Sequence, residues 1–271
     1  MIPEPIHRFL AEGLPPRLSM HFRAYQSWRW GDAELKLLPM LCSRTRVGID
    51  VGGYWGMYAY FIALFSKKLI VVEPNPSARV LLRQNFGSKL NIIPVALSDQ
   101  NGEKAFLRVP ILGGSQEIAL GTLAPENHVG DVANIERIEV TLRTLDSIDP
   151  GNVGFVKIDV EGHEEAVLRG ASRMIATSQP NFLIEVEERH NPGGVQNVHA
   201  FMSGYGYRTY FWFEGRLYPF SRFVPEIHQD VNRLPLGSYM NNFVYANPAT
   251  AARLEKKWFI TPASVAVAPV A

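Results

Sequence analysis

The sequence predicts an α/β fold, with a mostly parallel sheet that carries helices on both faces. Two apolar runs support this prediction: Val47–Val51 breaks into a glycine turn, and Leu69–Glu73 ends on a carboxylate. Between them, residues 54–65 are apolar nearly all round, which is typical of a helix that covers a buried sheet. Strand-like and helix-like segments then alternate along the chain, as they do in folds with a parallel sheet.

The glycine turn and the acid that follows it predict a nucleotide-type ligand on a Rossmann-like sheet. Gly52, Gly53 and Gly56 let the backbone approach a ligand closely, and Glu73 at the tip of the next strand can accept hydrogen bonds from ribose hydroxyls. Asp50 beside the turn would repel a pyrophosphate but would tolerate the ammonium group of S-adenosylmethionine (SAM). The turn therefore favours SAM over a dinucleotide.

The other elements follow from helix caps and from periodicity. Asp32 is predicted to cap a short helix, and Asn75 followed by Pro76 is predicted to begin a helix that runs to about residue 85. Further elements are predicted as strands at residues 90–97, 154–160, 181–187, 207–214 and 242–245 and as a helix at residues 195–202.

We divide the chain into an N-terminal extension (residues 1–31), one main domain (residues 32–248) and a C-terminal tail (residues 249–271). Residues 99–146 form a long β-rich insertion in the main domain. Its polar loop Gly113–His128 is predicted to act as a substrate lid, because long loops on a rigid sheet commonly build substrate sites.

Composition excludes several functional classes. The chain has 271 residues, a formal net charge of +1 and a single cysteine, Cys42. Nucleic-acid binding needs clustered positive charge, and no basic run here exceeds two residues. One cysteine excludes an intramolecular disulfide, and no apolar stretch is long enough to span a membrane. We expect a cytoplasmic protein with no nucleic-acid partner, no membrane span and no metal, since its acids match no known oxygen-ligand loop.

Several motifs occur in an order and spacing that resemble the FkbM family of methyltransferases over about residues 32–248. They are Asp50–Gly56, Glu73–Pro76, Ala96–Asp99, Arg143–Asp146, Lys157–Glu164, Val167–Ala171 and Pro180–Val186. The resemblance implies a seven-stranded class I methyltransferase sheet whose last strand is antiparallel, with SAM as the cofactor.

The resemblance also implies which residues hold the cofactor. Asp50 would lie near the methionine amino group, Glu73 would hold the ribose, and Asp99 would lie near the adenine amino group. Tyr54 and Trp55 must either point away from the ligand or form a wall of its pocket. The full cofactor set is Asp50, Gly52, Gly53, Tyr54, Gly56, Glu73, Pro74, Asn75, Ser98, Asp99 and Asp159.

Catalysis is assigned to the end of the strand predicted at residues 154–160. Asp159, Glu161 and His163 are the ordered candidates for a general base, because ligands bind at the carboxyl ends of strands in open α/β sheets. Glu161 can alternatively cap the next helix, and His163 can alternatively face solvent. Secondary candidates, as orienting acids or as bases, are Glu185, Glu187, His128 and His190.

The predicted function is SAM-dependent O-methylation of a hydroxyl on a sugar, glycolipid or secondary metabolite, with a small-molecule or glycan acceptor. One alternative is an NAD(P)-dependent oxidoreductase, although the glycine turn is one residue short of the G-x-G-x-x-G pattern. The other alternative is a SAM-binding protein without catalysis. The sequence leaves the oligomeric state open.

Overall fold

The computed structural model describes residues 13–102, 104–112, 115–116, 120–124, 134–236 and 239–258. Its strands are β1 (Val47–Val51), β2 (Lys68–Val72), β3 (Asn91–Ile93), β4 (Ala96–Leu97), β5 (Lys104–Leu112), β6 (Ser115–Gln116), β7 (Ile135–Arg143), β8 (Val153–Ile158), β9 (Asn181–Glu185), β10 (Arg208–Phe213), β11 (Arg216–Pro219) and β12 (Asn242–Ala246). Its helices are α1 (Pro16–Trp30), α2 (Leu38–Leu41), α3 (Met57–Phe65), α4 (Pro76–Phe86), α5 (Glu164–Arg169), α6 (Ser172–Ser178), α7 (Gly194–Gly204), α8 (Pro225–His228) and α9 (Pro248–Trp258).

The central sheet has the strand order β11-β10-β12-β9-β8-β1-β2-β3. The five strands from β9 to β3 run parallel, and β12 lies antiparallel between β9 and β10. This arrangement confirms the predicted class I methyltransferase fold with an antiparallel last strand. The sheet has eight strands rather than seven, because β11 adds an antiparallel edge strand to β10. Glu214 and Gly215 both have positive φ angles, 45° and 79°, which suits a two-residue hairpin turn.

The hydrophobic core lies on both faces of this sheet. Ile70 and Val72 pack on the face covered by α5, α6 and α7, while Leu69 and Val71 pack on the face covered by α2, α3, α4 and α9. Successive side chains of a strand point to opposite faces, so one apolar run serves both layers. All six residues of β8 are buried, as expected for a strand at the centre of a parallel sheet.

The insertion forms a second sheet with the order β4-β7-β5-β6. β5 and β7 pair antiparallel from Lys104 opposite Thr141 to Pro110 opposite Ile135. The strand predicted at residues 90–97 is divided in two: β3 ends before Pro94, and β4 pairs with β7 of the insertion instead of continuing in the central sheet. Proline has no amide hydrogen to donate to a ladder, which explains the break at this position.

Both ends of the described chain pack on the core. The N-terminal helix α1 contacts α3 and α4. Residues 249–258, which were assigned to a tail, form most of α9, and Ala251 and Leu254 are buried. Their spacing, continued by Trp258, is the helical period that identifies an amphipathic helix.

Asp32 makes no capping hydrogen bond, and a 3-10 turn over Ala33–Leu37 precedes α2. Within the described ranges, no helix combines the length and apolar character needed to cross a bilayer.

Candidate active site

Three adjoining cavities lie at the carboxyl ends of the parallel strands. The turn cavity, about 280 Å³, lies between the glycine turn and the end of α1, and its lining includes Ser27 and Asp32. The central cavity, about 220 Å³, is lined by residues that follow β2, β8 and β9. The small cavity, about 50 Å³, is mostly apolar. Asp159 lines all three cavities and therefore lies where they meet.

The glycine turn brings the backbone of β1 directly against the residue after β8. Gly52 has a φ of 79°, and a Cβ atom there would lie 1.8 Å from the carbonyl oxygen of Asp159. Gly53 and Tyr54 line the turn cavity. Gly56 lines none of the three cavities; a Cβ atom there would meet the ring of Phe86 at 2.4 Å. Gly56 thus has a packing role between α3 and α4, and its cofactor contact stays a prediction.

Tyr54 and Trp55 form a wall of the turn cavity, which decides between the two alternatives left by the sequence. The backbone of Tyr54 has a positive φ of 46°, unusual for a residue other than glycine. Its amide donates a hydrogen bond of 3.0 Å to the Glu73 carboxylate, which fixes the turn in this conformation. The guanidinium of Arg23, on α1, lies 5.5 Å from the Trp55 ring centroid.

Glu73, Pro74 and Asn75 line the central cavity, where the sequence predicted ribose contacts. The Glu73 carboxylate accepts hydrogen bonds from the amides of Tyr54 and, at 2.8 Å, Asn75. Burial raises the pKa of Glu73 to about 7, although both amides oppose the shift. The Asn75 side chain accepts a hydrogen bond from the amide of Ser77 and caps α4, as predicted.

Asp50 is buried in β1, with 2% of its surface exposed, and lines the turn cavity. Its Oδ2 atom has no hydrogen-bond partner among the residues the structure describes. Burial raises the pKa of Asp50 to about 7, and the nearby charge of Lys157 opposes this shift. A buried acceptor without a partner is costly, so this oxygen fits a donor group of a bound ligand.

Lys157 is the residue of this site to which sequence reasoning assigned no role. Its side chain, 1% exposed, lies 3.4 Å from Asp159 Oδ2, 3.8 Å from Glu185 Oε2 and 3.1 Å from Asn242 Oδ1. Burial opposes its charge, but the carboxylates outweigh that effect and raise the pKa of Lys157. The available signal was a single charged residue within the otherwise uncharged strand β8. A buried lysine needs paired acids.

The acids that follow β8 and β9 come together as the sequence predicted. Carboxylate oxygens of Asp159, Glu161 and Glu185 lie within 4.8 Å of one another. Lys157 faces two of these acids, and the ring of His190 contacts the third. The three carboxyl groups outnumber the two basic side chains that contact them, so the site attracts positive charge. That no metal ion binds here stays a prediction.

Glu161 bonds to His190 rather than capping the next helix. Its Oε2 atom lies 2.9 Å from Nδ1 of His190. This helix has no side-chain cap at its N-cap residue His163, and the Glu164 carboxylate accepts a hydrogen bond of 2.8 Å from the amide of Gly162 just before it. Glu187, the other acid predicted at the end of β9, is bound by Arg189 and lines none of the three cavities.

His163 lies at the small cavity, which it shares with Asp159 but not with Glu161 or Glu185. His163 lines the small cavity, and its Nε2 atom lies 3.0 Å from the Ser98 hydroxyl. Burial lowers the pKa of His163. Ser98 and Asp99 line none of the three cavities, and Asp99, 39% exposed, pairs with Arg169. Both residues follow β4, which pairs with β7 of the insertion, and their cofactor contacts stay a prediction. His128 lies outside the described residues.

The insertion covers the small cavity. Leu107 of β5 lines it together with Gly121 and Leu123, the described part of the predicted lid. The Thr122 hydroxyl between them donates a hydrogen bond of 2.6 Å to the carbonyl oxygen of Glu161. This bond attaches residues 120–124 directly to the loop after β8. A lid function for the rest of Gly113–His128 stays a prediction.

Glu164 provides a test of buried charge outside the proposed machinery. Burial raises its pKa to about 7, well above the value of 4.5 for an unfolded chain. The folded state therefore binds a proton more tightly, and stability present below pH 4.5 is lost as the pH rises through 7. Through Glu164, the free energy of unfolding of the wild type should fall by about 3 kcal/mol across this window. Glu164→Gln should not show this part of the decrease. Urea unfolding at pH 4.5, 6 and 8.5 measures it. Equal pH dependence in both proteins would contradict the burial argument.

The comparison with known families decides the classification. The sequence model of the "Methyltransferase FkbM domain" matches residues 50–209, more than half of the chain. The chain belongs to the FkbM methyltransferase family. This membership confirms the resemblance seen in the motifs, and it identifies the chain as a SAM-dependent methyltransferase domain rather than a nicotinamide-dependent one.

Several solved methyltransferase structures are similar to this FkbM domain at low sequence identity. An FkbM methyltransferase from Methylobacillus flagellatus is 14% identical, with 89% of this chain and 58% of that chain covered and a TM-score of 0.46. A precorrin-6y C5,15-methyltransferase from Geobacter metallireducens is 10% identical (78% and 86% covered, TM-score 0.43), and an rRNA methylase from Streptococcus thermophilus is 9% identical (78% and 91%, TM-score 0.40). This chain thus spans less than two thirds of the first of these proteins. No curated protein matches it.

Proposed function

We propose that this FkbM domain transfers the methyl group of SAM to a hydroxyl oxygen of a small-molecule or glycan acceptor. One observation carries the proposal: Asp159 lies at the junction of three cavities that together offer polar, acidic and apolar surfaces. Family membership supports the methyl transfer. The identity of the acceptor as a hydroxyl rests on the acids beside the central cavity.

The residues present fit SAM. The unpartnered Oδ2 of Asp50 suits the ammonium of the methionine part, and the Gly52 turn leaves space that a side chain would fill. Glu73 suits ribose hydroxyls, because a carboxylate accepts further hydrogen bonds beyond its two amide donors. The small cavity between Val72, Leu97 and the insertion suits the adenine ring. When bound, SAM supplies a methyl group activated by the positive sulfonium.

The chain itself supplies position and charge. Methyl transfer is an in-line displacement, so most of the catalysis is the alignment of two reactants. Asp159, Glu161 and Glu185 place negative charge beside the central cavity, which favours a positively charged ligand group there. Asp159 and Glu161 both line this cavity and support the assignment of the base to this cluster, whereas His163 faces the small cavity.

The charge of the cavities favours a neutral acceptor. Lys157 is the one lysine or arginine among the described lining residues, and it is already paired with Asp159 and Glu185. An acceptor that carries phosphates would face several carboxylates without a free cation. A sugar or metabolite hydroxyl avoids this repulsion. The absence of a nucleic-acid partner stays a prediction on the same grounds.

Binding calorimetry tests the cofactor. We expect S-adenosylhomocysteine to bind and NADH not to bind. Glu73→Gln, which keeps the side-chain volume, should weaken S-adenosylhomocysteine binding by about 1–3 kcal/mol, since it removes a charged acceptor. Glu226→Gln on α8 lines none of the three cavities and serves as the control. Binding of NADH without S-adenosylhomocysteine would contradict the proposal. A screen of hydroxyl compounds with methyl-labelled SAM then identifies the acceptor.

A further inference from the structure

The most specific feature of the site beyond cofactor binding is the pair formed by Glu161 and His190. Glu161 lines the central cavity, and its Oε2 atom contacts Nδ1 of His190, which does not line that cavity, at 2.9 Å. Both side chains are nearly buried, with 13% and 11% of their surfaces exposed. The carboxylate of Glu161 thus lines the central cavity, and the imidazole of His190 contacts that carboxylate.

The pair is held by backbone contacts on both sides. Glu161 has a positive φ of 54°, a conformation that costs energy for a residue with a side chain. Its carbonyl oxygen accepts the hydrogen bond from Thr122, which holds this conformation. A Cβ atom on Gly162 would lie 3.4 Å from the carbonyl oxygen of His190, so the loops after β8 and β9 are in close contact. A strained residue with two anchors indicates a position required for function.

We propose that Glu161 is the general base of the reaction and that His190 is its positioning residue. The inference rests on the proposed function and narrows the acceptor to an alcohol that does not ionise by itself at neutral pH. The acceptor oxygen keeps the electron pair of its O–H bond and forms the bond to the methyl carbon. The electron pair of the broken carbon–sulfur bond returns to sulfur, and the acceptor proton goes to Glu161.

His190 orients the carboxylate for this step. A neutral imidazole that donates from Nδ1 to Oε2 fixes the orientation of a carboxylate that lines the central cavity. Asp159 is a weaker candidate because its carboxylate is already paired with the buried ammonium of Lys157. Glu161 has a partner that is itself titratable near neutral pH.

The charges around the pair tune its proton affinity. Burial raises the pKa of Glu161, Asp159 and Glu187 raise it further, and the hydrogen bond from His190 lowers it. Burial opposes the charged form of His190, but Glu161 and Glu187 outweigh this and raise the pKa of His190, while Arg189 opposes them. The more distant charges that face the pair are Glu164, Glu185 and, through Glu185, Lys157. A raised carboxylate pKa suits a base that works near neutral pH.

Proton counting tests the pair without an identified acceptor. SAM carries a sulfonium charge that S-adenosylhomocysteine lacks, and a positive charge near Glu161 favours its ionised form. Between pH 5.5 and 8.5, we expect the binding of SAM to release up to about one more proton from the protein than the binding of S-adenosylhomocysteine does. Calorimetry in two buffers of different ionisation enthalpy measures the number of protons released. Glu161→Gln should abolish this difference. His190→Gln should shift it to higher pH, because the hydrogen bond that lowers the pKa of Glu161 is lost.

A matched control is His199→Gln, since His199 is bonded to Thr209 and lines none of the three cavities. It should leave the proton difference unchanged. Equal proton release by both ligands in wild type, or a difference that survives Glu161→Gln, would overturn the pair. If neither ligand binds to wild type, the proposed function itself is wrong.

Circular dichroism melting checks that each variant folds. If Glu161→Gln does not fold, histidine-selective NMR of the wild type decides the question, with His190→Gln used to assign the signal. The pKa of His190 should be lower with SAM bound than with S-adenosylhomocysteine bound, because the sulfonium charge acts on the pair. The same pKa in both complexes would overturn the proposal.

Discussion

Lys157→Met is expected to destabilise the folded protein by about 3–5 kcal/mol, the usual cost of removing one partner of a buried ion pair. The ammonium lies within 4 Å of carboxylate oxygens of Asp159 and Glu185, and its charge also acts on Asp50. Without it, the buried Asp50 and the half-buried Asp159 and Glu185 lose this cation. Urea unfolding at pH 7 measures the change.

The stability loss of Lys157→Met should depend on pH. Loss of Lys157 raises the pKa values of its acid neighbours, so the folded variant holds their protons more tightly than the unfolded chain does. Its stability deficit should therefore be smallest at pH 5 and should grow as the pH rises to 8. Lys67→Met, at an exposed lysine before β2, is the control and should change stability little. A deficit that is equal at both pH values would show that lost packing, not charge, is responsible.

Gly52→Ala is expected to have the other large effect. A Cβ atom at this position would lie 1.8 Å from the carbonyl oxygen of Asp159, and the φ of 79° disfavours any side chain. We expect a loss of about 3–5 kcal/mol of stability, from backbone strain and overpacking together. S-adenosylhomocysteine affinity should fall by at least about 100-fold, since displacement of β1 from β8 misplaces both sides of the turn cavity.

Gly102→Ala separates strain from collision. Gly102 has nearly the same φ, 80°, but a Cβ atom there would meet nothing within 4 Å. It should lose about 1–2 kcal/mol from strain alone and should keep its S-adenosylhomocysteine affinity. Thermal melting and calorimetry on both variants make the comparison. Equal losses of stability and affinity in the two variants would mean that the close contact with Asp159 does not contribute to the effect of Gly52→Ala.

Local signals predicted the central elements well. The glycine turn, the cap at Asn75 and the apolar runs of β1, β2, β8 and β9 each act within a few residues, so pattern and capping rules identify them. The N-terminal helix α1 was missed because it has no clear apolar period, whereas the C-terminal helix α9 was missed although Ala251, Leu254 and Trp258 have helical spacing. The edge strand β11 was missed although Glu214 and Gly215 suit a hairpin turn.

One difference in the fold bears on the predicted site. A single strand was predicted across Pro94, and Ser98 and Asp99 were therefore placed at the end of the central sheet. Pro94 interrupts the ladder, and β4 pairs with β7 of the insertion. Whether a strand continues after a proline depends on which partner is nearby, and that partner lies about 45 residues later in the chain.

The sequence by itself determined the fold class, the family and the acids that gather at the carboxyl ends of β8 and β9. These properties follow from short segments whose residue types are sufficient to specify them. The tertiary structure alone decided which charges meet: Lys157 with Asp159, Glu185 and Asn242, and Glu161 with His190. The contacts of Lys157 with Glu185 and Asn242, and of Glu161 with His190, join different strands or loops. Their distances depend on sheet register and loop packing, which no local pattern specifies.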